Sequence, residues 1–241
     1  MKNENSICWM GGAGFLIKFD GVRIGLDLFL SNSCMDAEGN IKRLTPPPMN
    51  PGDVKIDYLI SSHDHCDHLD MGCLSRWFSE NKALKLIGPA SSLAASGDAV
   101  PEERKILLER DTSVELRSGL ILRGVYCDHG DQSPDAIGVV LELGTATIYF
   151  TGDTCYRPDL RKLTGVFETD IIIVPINPSF GNPGPDGAAK LVKLFEAKTA
   201  LPCHYWLFKE HGGDPAAFEE ECAKTAPLIC KILAIGEEMS F

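Results

Sequence analysis

A chain of 241 residues, 44% hydrophobic and 24% charged, has enough apolar material for a sizeable core and too much for a disordered segment. Its net charge of −11 argues against the broad basic surface that sequence-independent nucleic-acid binding requires. No apolar run reaches membrane-spanning length, and no Pro/Gly/Ser-rich linker divides the chain, so a single domain over residues 1–241 is expected, with neither nucleic acid nor membrane as partner.

In chain order, apolar runs at residues 6–9, 15–19 and 22–26 read as strands. The Asp20-Gly21 pair between the last two marks a hairpin turn. Residues 30–53 are polar and broken by Pro46-Pro47-Pro48, which predicts a long loop. A strand at 57–62, a helix at 71–81 and a strand at 84–88 follow, then short helices at 91–96 and 101–107. Strands are predicted at 114–117, 120–126, 136–143, 146–151, 170–176 and 199–203, with a helix over 186–197. Asp214-Pro215 has the form of a helix N-cap followed by proline in the first turn, and residues 230–235 and 239–241 read as closing strands. Hairpins mixed with helical crossovers predict mixed sheets with helices outside.

The start, MKNENSICWMGGAG, carries no secretory apolar region, and nine scattered cysteines without a C-x-x-C pair read as reduced, buried small residues. The cytoplasm is the expected compartment. Cys66, inside the motif described next, reads as packing.

The chemistry concentrates in SSHDHCDHLD, residues 61–70, which holds three of the chain's six histidines directly after an apolar run. Imidazole nitrogens and carboxylate oxygens are the ligands first-row divalent metals favour. On an extended segment His63 and His65 face the same way and can grip one ion; where the chain turns, Asp67 and His68 can serve a second. The competing reading, surface histidines with Asp64 and Asp70 merely starting a helix, explains the cluster poorly. Three further candidates also follow apolar strands: His129 in CDHGD, Asp153 in YFTGDT and His204 in LPCHYW. His211 lies in a Gly-rich loop.

This ensemble, H-x-H-x-D-H followed by a later His, a Gly-Asp and a last His, resembles the metallo-β-lactamase superfamily. The resemblance spans nearly the whole chain, from MGGAGFLIKFDGVRIGLD to PCHYW. It implies an α/β fold of the four-layer αββα sandwich type and two divalent metal ions, zinc or manganese, with iron also compatible. It also implies that His63, His65 and His129 hold one ion, that Asp67, His68 and His204 hold the other, and that Asp153 bridges them. Asp67 and Asp153 would also orient or relay a proton, and Asp27 would be a carboxylate orienting a ligand histidine.

Within the superfamily, WMGGAGFLIK, LIGPA, DQSPDAIGVVLELGTATIYFTGDT and PCHYWLF are similar to the L-ascorbate-6-phosphate lactonase branch. The implied activity is metal-dependent hydrolysis of a lactone or ester of a small, phosphorylated metabolite by a metal-activated water. A phosphodiesterase or nuclease of the same fold, and a metal-stabilised scaffold without catalysis, are the alternatives. Tyr156, Arg157, Asn177, Tyr205, Lys209 and His211 are the expected substrate contacts, the cationic and amide side chains suiting an anionic group. An aspartate in TGD, where a secreted β-lactamase commonly has cysteine, and a histidine at position 65, where a diiron relative has glutamate, weigh against those two branches.

Overall fold

The alternating apolar residues of positions 6–26 fold as two hairpins, and Asp20 and Gly21 supply the positive φ angles, 45° and 84°, that the tight turn between Gly14–Phe19 and Val22–Leu26 requires. A computed structural model of the chain describes residues 5–34, 41–165, 168–224 and 228–241. These form two compact units, one of Met1–Leu107, Trp206–Lys209 and Leu233–Phe241, the other of Leu108–Tyr205 and Glu210–Ile232.

The first unit is built on a seven-stranded mixed sheet. Its strands are β1 (Ser6–Gly11), β2 (Gly14–Phe19), β3 (Val22–Leu26), β4 (Tyr58–Ile60), β5 (Lys85–Gly88), β6 (Lys105–Leu107) and β14 (Glu238–Ser240), in the order β14-β1-β2-β3-β4-β5-β6. Strands β14 to β3 pair antiparallel; β3 to β6 pair parallel, as crossover connections demand. Helix α1 (Met71–Glu80) covers part of this sheet. Asp70 caps it by accepting from Gly72 N at 3.1 Å, and it buries Cys73, Leu74, Trp77 and Phe78 on one stripe. That stripe joins Leu28, Ile56, Leu59, Leu84 and Leu86 in one apolar core. A short helix, α2 (Ala90–Ala95), follows β5.

The second unit repeats the plan. Strands β7 (Thr112–Arg117), β8 (Leu120–Tyr126), β9 (Ile137–Glu142) and β10 (Thr147–Phe150) form an antiparallel meander. β11 (Ile171–Pro175), β12 (Thr199–Cys203) and β13 (Ile229–Cys230) add parallel, giving the order β13-β12-β11-β10-β9-β8-β7. The interior strand β11 is buried along its whole length, the signature of a strand covered on both faces. Helices α3 (Leu160–Thr164), α4 (Pro185–Phe195) and α5 (Pro215–Ala223) complete the unit. As the Asp214-Pro215 pair predicts, Asp214 caps α5, accepting from Ala216 N and Ala217 N.

Three expectations are corrected. Residues 101–107 are not a helix: a 3-10 turn at Glu102–Arg104 leads into β6, because Lys105–Leu107 gains a parallel partner in β5 and Arg104 is turned inward to donate to Phe78 O and Asn81 O at the end of α1. The strand expected over 230–235 is only Ile229–Cys230, since β12 offers pairing positions to those two residues alone. The cysteines are not all reduced: Cys34 and Cys66 form a disulfide that ties the segment after β3 to the histidine-rich turn, so Cys66 is a cross-link rather than packing alone. Part of the long loop expected at 30–53, residues 35–40, lies outside the described residues.

Candidate metal centre

Both sheets deliver polar side chains at the carboxyl ends of strands, where an α/β sheet gathers its functional groups. In the first unit the deliverer is β4. Its edge continues through Ser61, whose N–H donates to Ile87 O, and the chain then turns through Ser62 to Asp70. Ser61 Oγ donates to His63 O and closes the turn. Beside it, Asp27 ends β3 in a left-handed conformation (φ 44°) and is fully buried.

With Asp27 ionised, the hydrogen bonds around it determine which ring nitrogen of His63 and of His68 carries the proton. The carboxylate can only accept, and it takes Ser62 N at 2.7 Å, Ser62 Oγ at 2.5 Å and His68 Nδ1 at 2.6 Å. Ser62 Oγ has given its one proton to Asp27, so towards His63 Nδ1, 3.0 Å away, it accepts. Both His63 and His68 therefore carry their proton on Nδ1 and present the Nε2 lone pair outward. Burial pushes the Asp27 carboxyl above the ordinary carboxylate range, while the adjacent His68 pulls it back down.

The outward atoms are spaced as ligands of shared ions would be. Two donor atoms at about 2.0–2.1 Å from one cation, subtending about 90–110°, lie about 2.9–3.4 Å apart. His63 Nε2 and His65 Nδ1 are 3.0 Å apart, inside that range, while His68 Nε2 and Asp67 Oδ2 are 3.7 Å apart, which at these bond lengths corresponds to an angle of about 130°. Asp27, His63 and His68 also each offer a ligand atom within 4.8 Å of the others. Asp27 is committed to the imidazole and serine protons, which leaves the two histidines as the donors. Asp64 is exposed on the turn. Asp70 turns inward, accepting from Leu30 N at 2.7 Å and Ser31 N at 2.8 Å in addition to capping α1.

In the second unit, Asp153 follows β10 and His204 follows β12. Gly152 (φ 65°) makes the tight turn before Asp153; a Cβ there would lie 2.7 Å from Ile137 O. His204 is itself left-handed (φ 60°), an uncommon state for a non-glycine residue and one that clusters at functional sites. Asp153 Oδ2 lies 3.3 Å from His204 Nε2, again inside the span that one ion imposes, and both residues are buried. His129 follows β8, is 4% exposed and stands just before the 3-10 turn Gly130–Gln132. The donor sets of both units thus fit divalent metal ions by atom type, burial and spacing.

The expected substrate contacts are placed as follows. His211 is buried and stacks on His204, ring centroids 4.3 Å apart, with the exposed Phe180 edge-on to it at 6.2 Å. Arg157 is held by Asp128 and Asp159 and packs on the Tyr126 ring; its guanidinium holds the Asp128 carboxyl below the usual range. Tyr156 is 39% exposed, with Lys190 over its ring. Asn177 is wholly buried and donates to Ser179 O. Tyr205 is buried, and Lys209 is exposed. One residue escaped the sequence reading: Asn182, buried, donates from Nδ2 to Asp153 Oδ2 at 2.7 Å. Nothing in GNPGPDG marks it except that the loop follows a buried strand.

Comparison with known proteins agrees with this architecture. Solved structures of similar fold include Igni18, described as a novel metallo hydrolase from Ignicoccus hospitalis (TM-score 0.76, 18% identity, 99% of each chain), and an isothiocyanate hydrolase from Delia radicum gut bacteria (TM-score 0.76, 16% identity, 98% of this chain and 99% of that one). The metallo-β-lactamase fold protein YhfI from Bacillus subtilis (TM-score 0.75, 16% identity, 99% of this chain and 100% of that one) also matches, and gives the class: a metallo-β-lactamase fold, as the motifs imply. The model of the β-lactamase superfamily domain matches residues 28–205, and the chain belongs to that superfamily. Among curated proteins it is similar to UPF0173 metal-dependent hydrolases of Methanopyrus kandleri (28% identity, 89% of this chain and 90% of the relative) and Archaeoglobus fulgidus (26% identity, 98% of each). No helix among the described residues is long and apolar enough to cross a membrane.

Proposed function

We propose that this chain is a metal-dependent hydrolase in which His63, His65, Asp67 and His68, together with His129, Asp153 and His204, hold two divalent ions and cleave a lactone or ester of a small, anionic metabolite. The observation that carries the reading is the hydrogen-bond geometry around Asp27, which with an ionised carboxylate leaves the Nε2 lone pairs of two buried histidines facing outward. A neutral imidazole oriented by a carboxylate is the usual form of a metal-ligating histidine. The names of the UPF0173 relatives support the hydrolase class.

Bound divalent cations acidify water and polarise a carbonyl, so no serine or cysteine nucleophile is required. The chain's own residues contribute the rest. Asp27 and Ser62 keep the imidazoles of His63 and His68 neutral and aimed. Asp67 and Asp153 supply the negative charge that offsets the cations and accept a proton from the attacking water. His211, stacked on His204 with Phe180 edge-on to it, would offer a ring surface that suits the flat carbonyl of an ester or lactone. The lactone and ester class rests on the sequence's likeness to the lactonase branch.

The test is a panel of lactones, carboxylic esters, thioesters and phosphodiesters, incubated with protein loaded with Mn²⁺ or Zn²⁺. Turnover should be greatest on a lactone or ester and should vanish in His65→Ala, whose circular dichroism should match the parent. Turnover confined to phosphodiesters would move the chain to the nuclease-type reading, and full activity in His65→Ala would remove the proposal.

A further inference from the structure

We infer that Asn182 is a positioning residue for metal binding, holding Asp153 so that its Oδ2 faces His204; the inference rests on the proposed function. A carboxylate at a strand end has two rotatable bonds, and a buried one needs a donor to hold its orientation and its charge. Asn182 Nδ2 supplies that donor at 2.7 Å, and the oxygen it contacts is the one lying 3.3 Å from His204 Nε2. Because the carboxylate only accepts, the Asn182 amide has its nitrogen towards Asp153 and its Oδ1 away. A carboxylate oxygen has two lone pairs, so Oδ2 can take this hydrogen bond and a cation at once.

The backbone is shaped to deliver this one amide. Asn182 N donates to Ser179 O across a turn whose middle residues, Phe180 (φ 58°) and Gly181 (φ 85°), are both left-handed. A phenylalanine in that region costs about 1–2 kcal/mol, a cost that a loop free to relax would shed. Asn182 Oδ1 is buried and has no hydrogen-bond partner in the protein, so the residue is held inside by what its nitrogen does. Beyond it, Pro183 packs close to Gly187 of α4, where an added Cβ would come within 2.8 Å, and the turn is thereby fastened to the helix.

The experiment compares parent, Asn182→Ala and Asn182→Leu, each stripped by chelator and titrated with Zn²⁺ against a chromophoric chelator, with thermal melts of the metal-free proteins. Positioning predicts that both variants lose about 10–100-fold in affinity for at least one ion. The loss should disappear when Asp153→Ala is the background, since Asn182 then has nothing to hold. Unchanged affinity in either folded variant, whatever its melting temperature, overturns the inference, as does a loss that persists in the Asp153→Ala background. Asn182→Leu keeps the side-chain branching and heavy-atom count, so the comparison survives if Asn182→Ala does not fold. A parent that binds no ion would remove the proposed function and this inference with it; a parent that binds ions while both variants bind equally well removes this inference alone.

Discussion

Replacing Asp27 by asparagine changes one atom of the side chain and reverses the direction of the proton network. Oδ1 can still accept from Ser62 N, but the atom facing Ser62 Oγ and His68 Nδ1, at 2.5 and 2.6 Å, becomes a donor. His68 must then accept at Nδ1 and carry its proton on Nε2, which removes the lone pair proposed for the metal. Loss of such an orienting carboxylate costs about 10–100-fold in metal affinity, and each factor of ten corresponds to about 1.4 kcal/mol. Asparagine tolerates the φ of 44° at this position as aspartate does, so the backbone is not strained by the change. Asp27→Ala is a poorer probe. It leaves three buried donors without an acceptor, at about 1–3 kcal/mol each, a sum that approaches the total stability of about 5–15 kcal/mol typical of a folded protein. The assay is chelator-competition titration of Asp27→Asn and the parent, with ¹⁵N NMR of the imidazoles. The expected result is weakened metal binding with the His68 proton moved from Nδ1 to Nε2. Parent-like affinity together with a His68 still protonated at Nδ1 would refute the reasoning.

Further outcomes are expected away from Asp27. Gly152→Ala should destabilise the fold by at least about 1–2 kcal/mol, the cost of a left-handed alanine, with contact between the new Cβ and Ile137 O adding to it; a melting temperature equal to the parent's would count against the turn geometry. Reducing the Cys34–Cys66 bond, which joins residues 32 apart, should lower stability by about 3–4 kcal/mol by chain entropy, read as a lower denaturation midpoint in dithiothreitol that Cys66→Ser reproduces without reductant. The Glu238 carboxyl is held below its ordinary range by Ser6 and then Lys18, so the stability it adds is present above the unfolded carboxylate pKa and lost as pH falls through the lower folded value. Both ion-pair side chains are more than 40% exposed, which limits the effect to under about 1 kcal/mol. Glu238→Gln should therefore cost up to that amount at neutral pH and nothing at pH values below the folded carboxyl's pKa, so that the acid limb of the stability profile flattens slightly.

Much of the architecture could be read from the chain because its local signals agree with its tertiary fate. Strand alternation, the Asp20-Gly21 turn and the Asp214-Pro215 cap each act over a few residues, and the structure uses them as written. The expectation failed where pairing decided the matter: Lys105–Leu107 has no strong strand signal of its own and becomes β6 only because β5 offers an open edge. The candidate ligands were legible for a different reason, since histidine and aspartate directly after apolar strands are costly to bury without a use. Asn182 and the Cys34–Cys66 bond were not legible. Each depends on a partner 29 or 32 residues away, and neither has a spacing that points to that partner. Arg157 shows the opposite case: a cation beside TGDTC suggests an anion site, yet its charge is met by Asp128 and Asp159.

Metal stoichiometry tests the account at its root, because the proposal has seven named side chains hold two ions. Elemental analysis and Zn²⁺ titration should find two ions per parent chain, with the loss of at least one tightly held ion in His63→Ala and again in His204→Ala. If His204→Ala kept two ions at parental affinity, His204 would not be a ligand, and the proposed ligand set would be contradicted.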